Sequence, residues 1–89
     1  MILFWLRPGQ VTTRDTVQDD VAARFPRAQY EMRLRASVAI DEAIKAGTLI
    51  ERSGRLEAVN ALRGWMLDLE IPPDEEPPVM RLDRRHRSR

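Results

Sequence analysis

The first seven residues form a largely apolar segment that predicts a β-strand. Met1 to Arg7 alternates between two sets of largely apolar side chains and is rich in aromatics, which favours a strand covered at least partly on both faces. Pro8 and Gly9 end this strand as a turn. Trp5 has two interpretations: it packs in the core, or it faces outward from an edge strand and supports a dimer formed by strand addition.

A short amphipathic helix is predicted next. Thr12, Thr13 and Asp15 are candidate N-caps, and apolar residues follow at three- and four-residue spacing as far as Phe25. Pro26 ends the helix, because a proline disfavours the helical conformation of the residue before it.

A second helix is predicted from residue 27 to residue 46, where no residue breaks a helix and Gly47 follows as a C-terminal cap. Its apolar residues fall on two sides. The helix is therefore either buried on two faces or turns near Ser37, and we expect one long helix.

A β-hairpin and a last helix complete the pattern. Residues 48–50 are each β-branched or apolar, Ser53-Gly54 is typical of a tight turn, and residues 55–59 alternate polar with apolar side chains. Asn60 is a candidate cap for a helix to about Glu70, since apolar residues recur there at helical spacing: Ala61, Leu62, Trp65, Met66 and Leu69. The fold class predicted is α+β, a small winged-helix-like body in the order β-α-α-β-β-α.

Length and composition indicate one domain followed by a tail. The chain has 89 residues, of which 43% are hydrophobic and 33% charged, as in ordinary globular proteins. We expect a compact α+β domain at residues 1–71. Residues 72–89 are expected to be a proline-rich acidic hinge and an arginine-rich flexible tail, because they hold too few apolar groups to offset the cost of ordering the backbone.

Charge is distributed unevenly between these parts. Residues 1–71 hold ten Lys or Arg and ten Asp or Glu, so the predicted domain is neutral although the whole chain has a net charge of +1. The excess of positive charge lies in the tail. Its arginines, among them Arg84, Arg85 and Arg87, are either a basic arm that grips a phosphate backbone or a solubilising terminus.

Candidate catalytic and metal-binding residues are missing from the sequence. There is no cysteine, and His86 is the single histidine. The glycines are isolated, and the neighbouring acids Asp19-Asp20 and Asp41-Glu42 point in different directions on a helix. We therefore expect neither an enzyme nor a cofactor or metal site.

The cellular location is predicted from the first six residues and from the absence of cysteine. The apolar run at residues 1–6 is too short to span a membrane or to form a signal-peptide core. A cytoplasmic protein without a membrane partner is the expectation, although the absence of cysteine fits a secreted chain as well.

Residues 43–50, leading into 51–57 and preceded by the helical segment 20–25, resemble the recognition helix and wing of winged helix-turn-helix domains. In that family the final helix commonly ends in a glycine followed by an apolar strand, and the hairpin turn carries basic residues. The resemblance covers about residues 13–59, and the family's usual first helix has no room between Pro8 and Asp15.

The resemblance implies two sets of nucleic-acid contacts. Arg27, Arg33 and Arg35 would lie in or around a major groove, while Arg52 and Arg55 on the wing would reach a phosphate or the minor groove.

Three functions remain open at this point. The first is a small DNA- or RNA-binding or regulatory protein of bacterial or viral type. The second, which explains the neutral domain better, is a protein-binding adaptor or inhibitor of phage or plasmid type; the third is a structural role in a homo-oligomer such as a homodimer. Arginines that converge on one face would favour nucleic acid, whereas acids interspersed among them would favour the adaptor.

Overall fold

The computed structural model describes residues 1–72, so the predicted tail lies outside the described residues. The predicted α+β class is confirmed: two helices combine with two small antiparallel sheets. In chain order the elements are β1 (Ile2–Leu6), β2 (Val11–Thr13), α1 (Arg14–Ala23), α2 (Gln29–Ala46), β3 (Leu49–Arg52), β4 (Arg55–Ala58) and β5 (Trp65–Asp68).

The first sheet has three strands in the order β2-β4-β3. Its β3–β4 hairpin was predicted, and the turn at Ser53 and Gly54 has φ values of 50° and 77°. Two central residues with positive φ match the right-handed twist of the flanking strands, which is why a glycine stands here. Strand β2 was not predicted, because three residues are too few for an alternating pattern to stand out.

The second sheet is a two-stranded ribbon of β1 and β5. Phe4 pairs with Leu67 and Trp5 with Met66, and the register shifts between Ile2 and Phe4, which makes Leu3 a bulge residue. The predicted first strand is thus confirmed, and its partner is now identified.

The helix predicted from Asn60 to about Glu70 is wrong, since this segment forms one turn followed by β5. Asn60 does act as a cap, with its Oδ1 accepting hydrogen bonds from the backbone N–H groups of Leu62 and Arg63 at 2.8 and 2.9 Å. Gly64 then adopts a left-handed conformation with φ 74°, which ends the turn. The predicted order β-α-α-β-β-α is therefore replaced by β-β-α-α-β-β-β.

The core lies between the helices and the two sheets. Thr13 caps α1 by accepting a hydrogen bond from the backbone N–H of Thr16 at 3.1 Å, and α2 is one continuous helix, as predicted. Neither helix within residues 1–72 is long and apolar enough to cross a membrane. Both sheets and both helices contribute buried side chains to one cluster: Leu3, Leu6, Val17, Val21, Met32, Ala36, Ile40, Leu49, Leu56 and Leu67.

Substitution of Gly64 tests how closely the turn before β5 approaches the backbone of β1. A Cβ at this position would overlap the backbone carbonyl oxygen of Leu6, whereas a Cβ at Gly9, which also has a positive φ, would meet no atom within 4 Å. We expect Gly64→Ala to lower the free energy of unfolding by about 2–4 kcal/mol and Gly9→Ala by only about 1 kcal/mol. Urea denaturation followed by circular dichroism measures both, and equal losses would show that Gly64 is needed only for its φ.

Candidate functional site

The solvent-facing side of α2 carries apolar residues. Tyr30, Leu34 and Val38 follow one another at intervals of four residues, and the side chains are 77%, 50% and 54% exposed. Residues at this spacing lie above one another on a helix. We call the solvent-facing side of α2 that carries this stripe the outer face; the opposite side, with Met32 and Ile40 among others, is fully buried.

A groove of about 260 Å³ runs along the edge of the outer face. Its lining comes from Leu69, the residue after β5, and from five residues of α2: Leu34, Arg35, Val38, Ala39 and Glu42. The chain beyond β5 is held against α2 because Arg35 Nη1 donates a hydrogen bond to the carbonyl of Glu70 at 3.1 Å. The groove is thus built between two segments that are far apart in the sequence.

Acidic side chains surround the apolar stripe. Glu31, Asp41 and Glu42 are exposed there, and the basic residues on this side are the exposed Lys45 and Arg35, which lines the groove. Within residues 1–72, Glu42 makes no ion pair, and it lines the groove directly. The outer face therefore combines apolar area with net negative charge.

The two arginines predicted to contact a major groove from α2 do not converge. Arg33 pairs with Asp19 of α1 at 2.7 Å, while Arg35 lies near Glu31 at 3.9 Å and bonds to the Glu70 carbonyl. Residues two apart in a helix differ by about 200° in direction. Acids are thus interspersed among these arginines, which was the condition favouring the adaptor.

The remaining predicted contacts are placed as follows. Arg27 is exposed in the loop between α1 and α2. Arg52 and Arg55 lie directly opposite each other at the tip of the β3–β4 hairpin, are both exposed, and form no ion pair within the described part of the chain. Of the predicted set, only this pair is brought together. Three members lie outside the described residues: Arg84, Arg85 and Arg87.

Arg14 forms a junction that the sequence did not reveal. From the first turn of α1 its Nη1 contacts Asp41 Oδ1 at 2.9 Å and its Nη2 contacts Glu51 Oε1 at 3.1 Å. Nη1 also lies 3.3 Å from Ser37 Oγ and 3.4 Å from the Ser37 carbonyl. The hydrogen bond to Glu51 is the main reason that the pKa of Arg14 is raised, and the bond to Asp41 adds to it, so that together they outweigh the opposing effect of burial. One guanidinium thus joins α1, α2 and β3.

Trp5 does not pack in the core but faces outward from β1. Its ring is held in one orientation, since Nε1 donates a hydrogen bond to the Arg63 carbonyl at 3.1 Å and the guanidinium carbon of Arg7 lies 5.2 Å from the ring centroid. The residue is 47% exposed, whereas Trp65 is buried in the core. Large, rigid aromatics that remain half-exposed are typical of interaction surfaces.

Among residues 1–72, no group of three or more His, Cys, Asp or Glu side chains is arranged to hold a metal ion.

Removal of the Arg14 side chain is expected to destabilise the fold more than removal of an ordinary surface arginine. This side chain is 27% exposed, and removing it leaves the partly buried Glu51 and the exposed Asp41 without their shared cation. We expect Arg14→Ala to lower the free energy of unfolding by about 1–2 kcal/mol, and the control Arg55→Ala to change it by less than about 0.5 kcal/mol. Urea denaturation distinguishes the two, and equal effects would contradict a structural role for the junction.

The comparisons with known proteins leave this geometry as the guide to function. No protein-family model matches the chain, and neither does any curated protein or any solved structure.

Proposed function

We propose that the chain is a cytoplasmic, non-enzymatic adaptor or inhibitor that binds another protein through the outer face of α2. One observation carries the proposal: the side of α2 that faces solvent presents Tyr30, Leu34 and Val38 among acids. A helix that reads DNA needs basic and hydrogen-bonding side chains at this place, because it must approach phosphates closely.

The winged-helix resemblance is compatible with this proposal. Helices α1 and α2 and the β3–β4 hairpin follow one another in the order on which the resemblance rests. Such a body offers a long exposed helix as a binding surface, and a fold does not determine which partner it takes.

Electrostatics favour a protein over a nucleic acid on this face. Glu31 and Glu42 would repel phosphates, and Arg33 would have to give up Asp19 in order to contact them. Burying an apolar stripe against DNA would bring little, whereas burying it against a protein is favourable at about 25 cal/mol per Å². Exposed apolar patches rimmed by polar residues mark protein-binding sites.

The groove defines the chemistry of the partner. Its volume of about 260 Å³ is enough for one or two apolar side chains, and Glu42, the acid in its lining, complements a cation. The partner segment is therefore an amphipathic helix with apolar anchors at a spacing of three or four residues and Lys or Arg beside them. Asp41 contributes less to this selection, because Arg14 already pairs with it.

Substitutions on the outer face test the proposal. We expect Val38→Lys and Glu42→Lys each to weaken binding to the protein partner at least about tenfold, by breaking apolar contact and reversing charge respectively. Leu62→Lys is the matched control, since Leu62 is 91% exposed on another part of the chain. Affinity capture with the full chain and its variants identifies candidate partners by mass spectrometry, and titration calorimetry with each purified candidate gives the affinities.

A captured protein supports the proposal only if its purified form binds the wild-type chain and the Leu62→Lys control alike and binds both outer-face variants more weakly. Recovery of no such protein, or binding that all three substitutions leave unchanged, would contradict it.

Nucleic-acid binding is the second candidate function, and the hairpin tip favours it. Arg52 and Arg55 stand opposite each other without a neutralising partner in residues 1–72, although like charges across a hairpin are unfavourable. An anion between the two strands would relieve this repulsion. The sequence adds Arg84, Arg85 and Arg87 as a basic arm.

Charge reversal at the tip tests this second function. We expect the double variant Arg52→Glu/Arg55→Glu to weaken binding to a labelled DNA duplex or RNA strand at low salt at least about tenfold and to reduce the salt dependence of binding. Fluorescence anisotropy measures both quantities. A variant with alanine at the three tail arginines separates the contribution of the arm, and wild-type protein that binds neither nucleic acid at low salt would eliminate this function.

A further inference from the structure

The groove on the outer face lies beside the point at which the described part of the chain ends. Leu69 lines the groove, and Pro72, the last described residue, follows three positions later, at most about 10 Å away. This stretch is fixed to the body, because Arg35 donates a hydrogen bond to the Glu70 carbonyl at 3.1 Å. Ile71 packs against the core, and Pro72 is buried. The sequence that follows Pro72 therefore starts next to the groove.

That sequence has the chemistry that suits the groove. Residues 79–89 contain three apolar side chains, Val79, Met80 and Leu82, and all their other side chains are polar or charged. Five of these eleven residues are arginines and one is an aspartate, which gives a side-chain charge of +4 with histidine neutral. Val79 and Leu82 have the spacing of neighbours on a helix face. Apolar anchors at this spacing with cations beside them are what the proposed function requires of a partner.

We infer that residues 79–85 of the same chain bind in this groove. Leu82 is the apolar anchor, and the arginine pair at residues 84–85 lies beside Glu42. The segment then covers the surface that a protein partner would use, so the chain competes with its partner for the outer face of α2. This competition rests on the proposed function, whereas the docking itself does not.

The linker is long enough for the segment to return to the groove. Six residues, 73–78, separate Pro72 from Val79, and this connection reaches up to about 25 Å. Leu69 lies within about 10 Å of Pro72, so more than half of the length is left for reversing the chain direction. A short tether gives the segment an effective concentration on the order of 1 mM, at which an intrinsic Kd of about 0.1 mM leaves the groove about 90% occupied.

Charge complementarity supports this segment as the occupant. Glu42 lines the groove and makes no ion pair within residues 1–72. Arg35 lines the groove as well, but its guanidinium is engaged by Glu31 at 3.9 Å and by the Glu70 carbonyl. The groove therefore offers an apolar recess beside an available carboxylate, and residues 79–85 supply the matching leucine and arginines.

Paramagnetic relaxation in the full chain tests the docking without any partner. The sequence has no cysteine, so Ser88→Cys provides one attachment point for a nitroxide label six residues beyond Leu82. Because the groove is mostly occupied, we expect the backbone amide signals of Leu34 and Val38 to lose at least about half of their intensity. Signals near Leu62 should keep theirs, since Leu62 precedes β5 and Leu69 follows it.

Substitution of the anchor tests whether the contact is specific. In the labelled chain, Leu82→Glu removes the apolar side chain and adds a charge that Glu42 repels, so we expect the outer-face signals to recover. Leu62→Lys is the matched control, because it replaces an exposed leucine elsewhere and should leave the signal loss in place.

A synthetic peptide of residues 79–89 tests the competition directly. We expect it to bind the full chain carrying Leu82→Glu at least about tenfold more tightly than the wild-type chain, whose own segment occupies the groove. Adding Val38→Lys to the Leu82→Glu chain should weaken peptide binding at least about tenfold. Titration calorimetry measures these affinities, and circular dichroism confirms that each variant is folded.

Four results would overturn the inference. They are equal signal loss on the outer face and near Leu62, loss that Leu82→Glu leaves unchanged, equal loss when the label is carried by a second, isotopically unlabelled chain, or a peptide that binds the Leu82→Glu chain no better than the wild type. All four concern the chain and its own segment. Failure of the proposed function is recognised separately, because it is judged with a purified partner and the variants Val38→Lys and Glu42→Lys.

Discussion

Burial of the inner face of α2 is the interaction on which the rest of this structure depends. Within residues 1–72 the two sheets form no common ladder, and the two-stranded ribbon is marginal without packing against a helix. They belong to one body because Met32, Ala36 and Ile40 are completely buried in a cluster to which both sheets and α1 contribute. This requirement also determines which side of α2 remains outside. An 18-residue helix that buries one face must expose the other, and the sequence of that exposed face defines the candidate site.

The parts of the fold that sequence patterns predicted are those in which local signals and tertiary packing agree. The β3–β4 hairpin follows from Ser53 and Gly54 between apolar strands, and α2 follows from a long run without a breaker. The segment after Asn60 shows how such signals fail. Its apolar residues have helical spacing, but Leu62 is 91% exposed, while Trp65 and Leu67 alternate with exposed neighbours. This segment forms a strand because β1 offers it an edge to pair with. A local sequence pattern carries no information about that partner.

The candidate site was less predictable than the fold, because its character depends on pairings across the chain. Arg33 and Arg35 appeared as two members of one basic set, yet Asp19 neutralises the first and the backbone at Glu70 engages the second. These partners lie 14 and 35 residues away in the sequence, so only the packing of α1 and of the segment after β5 reveals them. The same applies to Arg14, whose partners Asp41 and Glu51 lie 27 and 37 residues away in the sequence. The net charge, in contrast, follows from the sequence alone. Residues 1–71 sum to zero, and this neutrality is what made a protein-binding adaptor worth considering.

The ion pairs also show that the negative charge on the outer face of α2 is concentrated at one acid. Of the three acids around the apolar stripe, Asp41 is held by Arg14 and Glu31 lies near Arg35, which leaves Glu42 without an ion pair among residues 1–72. Glu42 is also the acid that lines the groove beside Leu34 and Val38. A partner would therefore encounter one exposed carboxylate without an ion pair next to an apolar recess, and the proposed partner offers an aliphatic anchor with a cation close beside it. Because Arg14 fixes α2 to α1 and to β3, the carboxylate and the recess are presented in a constant geometry, which lowers the ordering cost of binding.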